Sequence, residues 1–172
     1  LFFLIWGYWL VQPYENSALR MLISLLGLIL VLPYINRDPT STRANIAFVG
    51  IFWFQMPLFF SWMYLCNNGN TVWLASLSVM ILIWYHITDW RIATIGLVTG
   101  GILAWILFEI AGPVTSVMNT EQLAINSVVI AFSFSMALLL GALSANARQA
   151  ELTFSKEKNK ALQALSGSIA HE

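Results

Sequence analysis

The last two residues of the sequence, His171 and Glu172, have side chains that together suit phosphoryl chemistry. A neutral imidazole nitrogen is a nucleophile, and a neighbouring carboxylate can accept its proton or hold its tautomer. His171 is therefore a candidate phosphoacceptor, with Glu172 as the assisting acid. On chemical grounds alone, the alternative is that His171 and Glu172 are simply solvated on an exposed helix.

The segment that positions this pair is predicted to be helical. From Ala145 onward the sequence is rich in Ala, Leu, Gln, Glu and Lys, which favour helices, and it has no interior proline. Leu162, Leu165 and Ile169 follow at helical spacing, which is typical of a seam that packs against a partner helix. We expect one continuous helix that leaves the membrane and pairs with its copy in a homodimer. A solvated helix with incidental apolar residues is the alternative.

The composition places most of the chain in a lipid bilayer. Of 172 residues, 59% are hydrophobic and 9% are charged, and the mean hydropathy is +0.75. A soluble domain of this size needs more charge to cover its surface, so the sequence predicts a polytopic membrane protein. Cys66 is the single cysteine, which excludes an intrachain disulfide framework. The sequence has no metal-ligand cluster, phosphate-binding loop or dinucleotide fingerprint, and no nucleic-acid partner is expected.

The apolar sequence divides into six runs that predict membrane-spanning helices. Such a helix needs about 20 mostly apolar residues to cross about 30 Å of hydrocarbon. The first run is shorter, and we interpret it as the back half of a helix whose start was lost. The predicted fold class is all-α, with a six-helix membrane domain at residues 1–144 and a cytoplasmic helix at 145–172. The six predicted spans are 1–11, 18–35, 46–66, 71–88, 92–112 and 123–144.

The distribution of basic residues predicts the orientation of these spans. Cytoplasmic ends of membrane helices carry an excess of Lys and Arg. With the C-terminus in the cytoplasm, only Arg20, beside Glu15, falls on the outside. The basic residues that fall inside are Arg37, Arg43, Arg91, Arg148, Lys156, Lys158 and Lys160.

Polar and special residues inside the predicted spans have structural interpretations. Glu109 is costly in lipid, but its place near the end of the fifth span lets it reach outward to the interface. For His86, near the inner end of the fourth span, we expect an interhelical or interfacial hydrogen bond. Gln55 with Pro57 predicts a local helix distortion, and Gly100 with Gly101 permits a close helix approach.

The C-terminal stretch SGSIAHE, residues 166–172, resembles the first half of the H-box of bacterial sensor histidine kinases. By this resemblance His171 is the phosphoacceptor and Glu172 the assisting acid. The rest of the H-box, the second dimerisation helix and the ATP-binding domain are expected to be missing from this chain. The resemblance therefore implies ATP and Mg²⁺ only for that missing kinase domain, and this chain alone should be inactive.

Further motifs resemble a more specific family within these kinases. They are IWGYWLVQPYENSALR at 5–20, TVWLAS at 71–76, and Asp89 with Arg91. Together with GSIAHE they are similar to quorum-sensing sensor kinases that detect α-hydroxyketone autoinducers through a six-helix domain. The resemblance implies a multi-pass protein of the bacterial inner membrane, with a small amphiphile as signal. It also implies a homodimer and a downstream response regulator or phosphotransfer protein.

The ligand of that family is an amphiphile with a polar head and an acyl tail. Trp73 and Ser76 are three residues apart, share a helix face and each bring a donor, and by the resemblance they line the head-group end. A tryptophan of the interfacial belt is the alternative for Trp73. The sixth span offers Phe134, Met136 and Ser144 for the tail. Met136 lies at a depth in the membrane that a ligand headed at Trp73 and Ser76 reaches more easily, whereas alignment to the family favours Ser144 as the tail contact. All three residues also suit simple helix packing.

The expected mechanism is ligand control of the sixth span, which continues into the helix that bears His171. By the resemblance, the unliganded state favours kinase activity and the ligand favours phosphatase activity. The alternative is a small transporter or membrane-embedded enzyme with an unrelated tail. That class predicts paired charges near the bilayer midplane or an internal repeat, and the sequence shows neither.

Overall fold

The computed structural model describes residues 11–32, 41–113 and 118–169, with the side chains of 161 and 164–169 excluded. Throughout these ranges the only regular elements are helices. The first predicted span falls almost wholly outside them, and so do His171 and Glu172. The helices are α1 (Ser17–Ile29), α2 (Thr42–Trp53), a π-helical turn (Phe54–Leu58), α3 (Phe59–Cys66), α4 (Thr71–Ile87), α5 (Trp90–Ala111) and α6 (Thr120–Ile169).

Among the residues that the structure describes, three helical stretches are long and apolar enough to cross a bilayer: Thr42–Cys66, Trp90–Ala111 and Thr120–Lys160. Two shorter helices, Ser17–Ile29 and Thr71–Ile87, are also apolar. The predicted all-helical membrane architecture is confirmed, while the count of six spans stays a prediction.

Polar side chains start five of the helices where the connecting segments of the sequence predict turns. Each accepts a hydrogen bond from a backbone N–H that the first helical turn leaves without a partner. These caps fix the position at which each apolar run enters its helix. The five capping residues are Asn16, Ser41, Asn70, Asp89 and Asn119.

The predicted distortion at Gln55 and Pro57 is present as the π-helical turn between α2 and α3. Proline lacks an N–H and clashes with the preceding turn of an α-helix, so a wider turn accommodates it. Gln55 Nε2 reaches across to α1 and donates to the carbonyl oxygen of Ile23 at 2.6 Å. The distortion therefore also joins two helices through a polar contact.

Helix α4 lies at the centre of the packing, against α3, α5 and α6. Its buried side chains point in several directions, as expected for a helix surrounded by protein. Trp84 is fully buried, and its indole N–H donates to the carbonyl oxygen of Ala93 in α5 at 2.9 Å. The buried residues of α4 are Trp73, Leu74, Leu77, Met80, Ile81, Trp84 and Tyr85.

Helix α5 has the inverted pattern of a membrane helix, with small residues inside and large apolar residues outside. Small residues let helix backbones approach closely, and large exposed apolar side chains suit contact with lipid. The buried residues are Ala93, Gly96, Gly100 and Ala104. The exposed apolar residues include Ile95, Val98, Ile102, Trp105, Ile106 and Ile110.

The two adjacent glycines of α5 are expected to differ sharply on substitution. A Cβ added at Gly100 would lie 2.6 Å from Pro57 Cβ and 3.0 Å from the backbone nitrogen of Leu58, whereas one added at Gly101 meets nothing within 4 Å. Gly100→Ala should therefore lower the free energy of unfolding by about 1–3 kcal/mol through overpacking. Gly101→Ala is the matched control and should not lower the free energy of unfolding. Thermal unfolding in detergent measures both, and equal midpoints would contradict this packing.

Helix α6 is 50 residues long, which corresponds to about 75 Å and exceeds twice the hydrocarbon thickness of a bilayer. Its first half packs against α4, and from Asn146 onward its described side chains are exposed. The prediction of one uninterrupted helix beyond residue 144 is confirmed as far as Ile169. The division into two domains at that point stays a prediction.

Candidate ligand site and signalling helix

Trp73 sits in the first turn of α4, where the side chain of Asn70 accepts a hydrogen bond from the Trp73 backbone N–H at 3.0 Å. It is 2% exposed. Its ring meets Phe59 and Phe60 edge-on, with both centroids 6.1 Å away. This burial within an aromatic cluster disfavours the alternative of an interfacial belt tryptophan.

Arg20 is a neighbour of Trp73 that the sequence analysis did not connect with the site. Its guanidinium carbon lies 5.8 Å from the Trp73 ring centroid, and its side chain is only 6% exposed. Glu15 forms an ion pair with it. A buried cation over an aromatic face brings charge into an otherwise apolar region. Arg20 is also the basic residue that departs from the positive-inside pattern, and this was the signal available in the sequence.

Ser76 shares the helix face of Trp73 and is half-buried. Its hydroxyl donates to the carbonyl oxygen of Val72 at 2.7 Å. The proton of Ser76 is therefore engaged within its own helix, and the hydroxyl offers a ligand an acceptor. The donor that the sequence predicts at this position is thus occupied.

The three residues proposed for the ligand tail have different surroundings on α6. Phe134 is half-buried and meets the ring of Tyr85 edge-on, with centroids 6.0 Å apart. Met136 is 37% exposed and lies on the outward face of α6. Ser144 is half-buried and lines a cavity between α4 and α6.

That cavity has a volume of about 330 Å³ and lies at the end of the bundle where α4 finishes. Trp73 and His86 are thirteen residues apart on α4, so the cavity lies about 20 Å along the helix from Trp73. Trp73 and Ser144 are therefore at opposite ends of the α4–α6 pair. The cavity is lined by Leu82, Ile83, Tyr85, His86, Ala137, Leu140, Gly141 and Ser144.

A polar contact ties the start of α6 to the turn between α3 and α4. Asn126 is 4% exposed, and its Nδ2 donates to the carbonyl oxygen of Gly69 at 2.7 Å and to the Tyr64 hydroxyl at 2.9 Å. Asn68 and Gly69 hold left-handed backbone conformations in this turn, with φ of 53° and 59°. The sequence signal for Asn126 was a lone amide inside the apolar run LAINSVVIAF.

The segment that precedes α1 closes over the same end of α4. Asn67 Oδ1 accepts from the Tyr14 backbone N–H at 3.0 Å, and Asn70 Nδ2 donates to Gln12 Oε1 at 2.7 Å. Segment 12–16, the α3–α4 turn and the start of α6 thus meet above Trp73. These contacts connect the backbone of Trp73 to the start of α6 through Asn70 and the α3–α4 turn.

Other positions singled out in the sequence have plainer surroundings. His86 is exposed and makes no hydrogen bond to another residue within the described ranges, so the expected interhelical bond is not present there. The alternative of an interfacial bond stays a prediction. Glu109 is exposed near the end of α5. Cys66 is a buried free thiol. No cluster of three or more potential metal ligands occurs among the residues that the structure describes.

The fold defines an α-helical membrane protein whose last apolar helix continues as a long exposed rod. The chain is similar to the CAI-1 autoinducer sensor kinase/phosphatase CqsS of Vibrio cholerae serotype O1, with 34% identity over 92 residues. This match covers 50% of the chain but 12% of that protein. The chain is thus a partial homologue of a sensor kinase, which confirms the resemblance found in its motifs. No protein-family model and no solved structure matches it.

Proposed function

We propose that this chain is the membrane sensor region of a bacterial two-component histidine kinase, and that it binds a small α-hydroxyketone between its helices. The observation that carries the proposal is the continuity of α6, whose one helix joins the polar contacts above Trp73 to Ile169, two residues before His171. Similarity to a sensor kinase supports the same role.

The head group of the ligand would bind at the end of α4 that carries Trp73 and Ser76. A ketone oxygen suits a donor, and the guanidinium of Arg20, which is paired with Glu15, is a donor group on that side. A ligand hydroxyl can donate to Ser76 Oγ, because the proton of Ser76 is directed to Val72. An amphiphile can enter from the bilayer, so the site needs no aqueous entrance.

The acyl tail would run along α6 toward Phe134, whose ring meets Tyr85 of α4. Met136 lies on the outward face of α6, so it would contact the tail only from the lipid side. Both residues lie between the Asn126 contact and the cavity that contains Ser144. Ser144 lies farther from the head-group residues than either of them, near the far end of α4. A ligand must bind one arrangement of α6 more tightly than another to change the signal.

The output would be a phosphoryl transfer controlled by the position of α6. A kinase domain outside this chain would supply ATP and Mg²⁺. The His171 imidazole nitrogen would attack the γ-phosphorus, ADP would leave, and Glu172 would accept the imidazole proton. Leu162, Leu165 and Ile169 would form the homodimer seam, and a response regulator or phosphotransfer protein would receive the phosphoryl group. The orientation proposed is six spans in the inner membrane with the C-terminus in the cytoplasm.

Substitution of Trp73 tests this site. We expect Trp73→Ala to raise the dissociation constant for an α-hydroxyketone by at least about 30-fold, or about 2 kcal/mol, because a buried aromatic anchor is lost. Trp73→Phe keeps an aromatic ring but loses the indole N–H, and it should raise the dissociation constant about threefold to tenfold. Binding of radiolabelled ligand to membranes that contain the chain would measure the dissociation constant.

Trp105, which is exposed on the lipid face of α5, is the matched control. Trp105→Ala should leave the dissociation constant unchanged. Wild-type affinity in both Trp73 variants, at equal amounts of folded protein, would remove Trp73 from the site.

A further inference from the structure

A second cavity, the α1–α5 crevice, lies between α1, α5 and the π-helical turn with α3. Its volume is about 280 Å³. Asn16 at the start of α1 and Ala111 at the end of α5 both line it, so it lies at the end of the bundle that carries Trp73. Apart from Asn16, the described lining residues are apolar or aromatic, and they include Leu19, Phe54, Leu58 and Leu107.

The crevice opens sideways, toward the bilayer. Leu107 and Ala111 on its α5 side are exposed, whereas Ile23, Leu58 and Phe59 at its base are buried. Exposed apolar residues on a membrane helix suit contact with lipid. An amphiphile dissolved in the bilayer can therefore reach the crevice without crossing water.

Phe59 separates the crevice from Trp73. It lines the crevice, and its ring meets the Trp73 ring edge-on with the centroids 6.1 Å apart. On α1, Ile23 also lines the crevice, while Arg20, one turn earlier, has its guanidinium carbon 5.8 Å from the Trp73 centroid. One aromatic ring thus lies between the crevice and the residues proposed for the ligand head group.

Trp62 gives the crevice a hydrogen-bond donor. Its indole nitrogen is buried and has no hydrogen-bond partner among the residues that the structure describes. A buried donor without a partner costs about 1–3 kcal/mol. The half-buried ring can turn to present this donor to an acceptor in the crevice. A ketone oxygen is such an acceptor, and the apolar walls suit an alkyl chain.

We propose that the α1–α5 crevice is the entrance through which an α-hydroxyketone passes from the bilayer to Trp73, and that Phe59 moves aside to admit it. This inference rests on the proposed function and adds the route, with Trp62 as the residue that binds the ketone on the way. The crevice is slightly smaller than the pockets of about 300–1,000 Å³ that hold small ligands, which suits passage better than final binding.

The rates of ligand binding to the chain in nanodiscs test the entrance. Ala111→Trp would place a large side chain in the crevice, and we expect it to lower the association rate constant of the radiolabelled α-hydroxyketone about tenfold. Leu107→Ala widens the crevice and should raise that rate constant about threefold. Neither residue belongs to the head-group site. The dissociation rate constant should therefore change by the same factor, and the dissociation constant should stay within about twofold of the wild-type value.

Ile110→Trp introduces the same large side chain one residue earlier, where Ile110 is 76% exposed, and is the matched control. Its rate constants should equal those of the wild type. Wild-type association in both crevice variants, equal slowing by Ile110→Trp, or a raised dissociation constant with unchanged association would overturn the entrance and leave the Trp73 site intact. Failure of the wild-type chain to bind the α-hydroxyketone would instead overturn the proposed function, and the entrance with it.

Discussion

A two-residue insertion after Ala150 of α6 is expected to abolish ligand control in the complete sensor kinase, whereas a seven-residue insertion should preserve it. With 3.6 residues per turn, two residues rotate everything beyond by about 200°, and seven rotate it to within about 20° of two full turns. Autophosphorylation in membrane vesicles, with and without an α-hydroxyketone, would measure the response.

The two insertions separate a mechanical role from a change in length. Seven residues lengthen α6 more than two do. If only the length of α6 mattered, the seven-residue insertion would therefore impair the ligand response more than the two-residue insertion. Both insertions lie in the exposed part of the helix and leave the described packing of the bundle intact. Retention of the ligand response with two inserted residues would show that the rotational position of α6 does not carry the signal.

Asn126→Leu should destabilise the bundle while leaving the ligand residues intact. It removes the donor to the Gly69 carbonyl and the Tyr64 hydroxyl in a buried setting. The Gly69 carbonyl keeps the Gln122 amide as a donor at 3.2 Å, so the Tyr64 hydroxyl is the group that loses its partner. A buried polar group left unpaired costs about 1–3 kcal/mol, so the free energy of unfolding should fall by that amount. Chemical unfolding of the chain in detergent would measure it.

The same substitution also reports on coupling between the bundle and α6. If the contact at Gly69 holds α6 in one of its arrangements, Asn126→Leu should shift the basal ratio of kinase to phosphatase activity in the complete protein. Ser127→Ala is the neighbouring control, because its hydroxyl bonds only to the Leu123 carbonyl of its own helix. A stability loss with an unaltered activity ratio would limit Asn126 to a structural role.

Much of the helical framework follows from local physical rules. Apolar runs of bilayer length predict the helices, and Asn16, Asn70 and Asp89 begin them because their side chains satisfy backbone donors that no helix can pair internally. Pro57 predicts the distorted turn because it lacks an N–H. The continuity of α6 follows from helix-forming residues without proline or an interior break.

The surroundings of the site depend on how each helix is rotated about its axis, and hydropathy alone does not determine this in a membrane. Trp73 faces Phe59 and Arg20 because α4 is enclosed on several sides, and its apolar composition looks the same on every face. The hydroxyl proton of Ser76, which was expected to be available to a ligand, is donated to the Val72 carbonyl of its own helix. Gly100 and Gly101 look equivalent in the sequence, yet only Gly100 packs against Pro57.

The central claim, that a ligand within the bundle moves α6, is tested most directly by a distance measurement between α5 and α6. Spin labels at Ile95→Cys and Gln149→Cys, both exposed positions, would be placed in a Cys66→Ala background and diluted with unlabelled chain in nanodiscs. The account predicts that a saturating α-hydroxyketone shifts the distance distribution measured by pulsed electron paramagnetic resonance. The same distribution with and without bound ligand would contradict it.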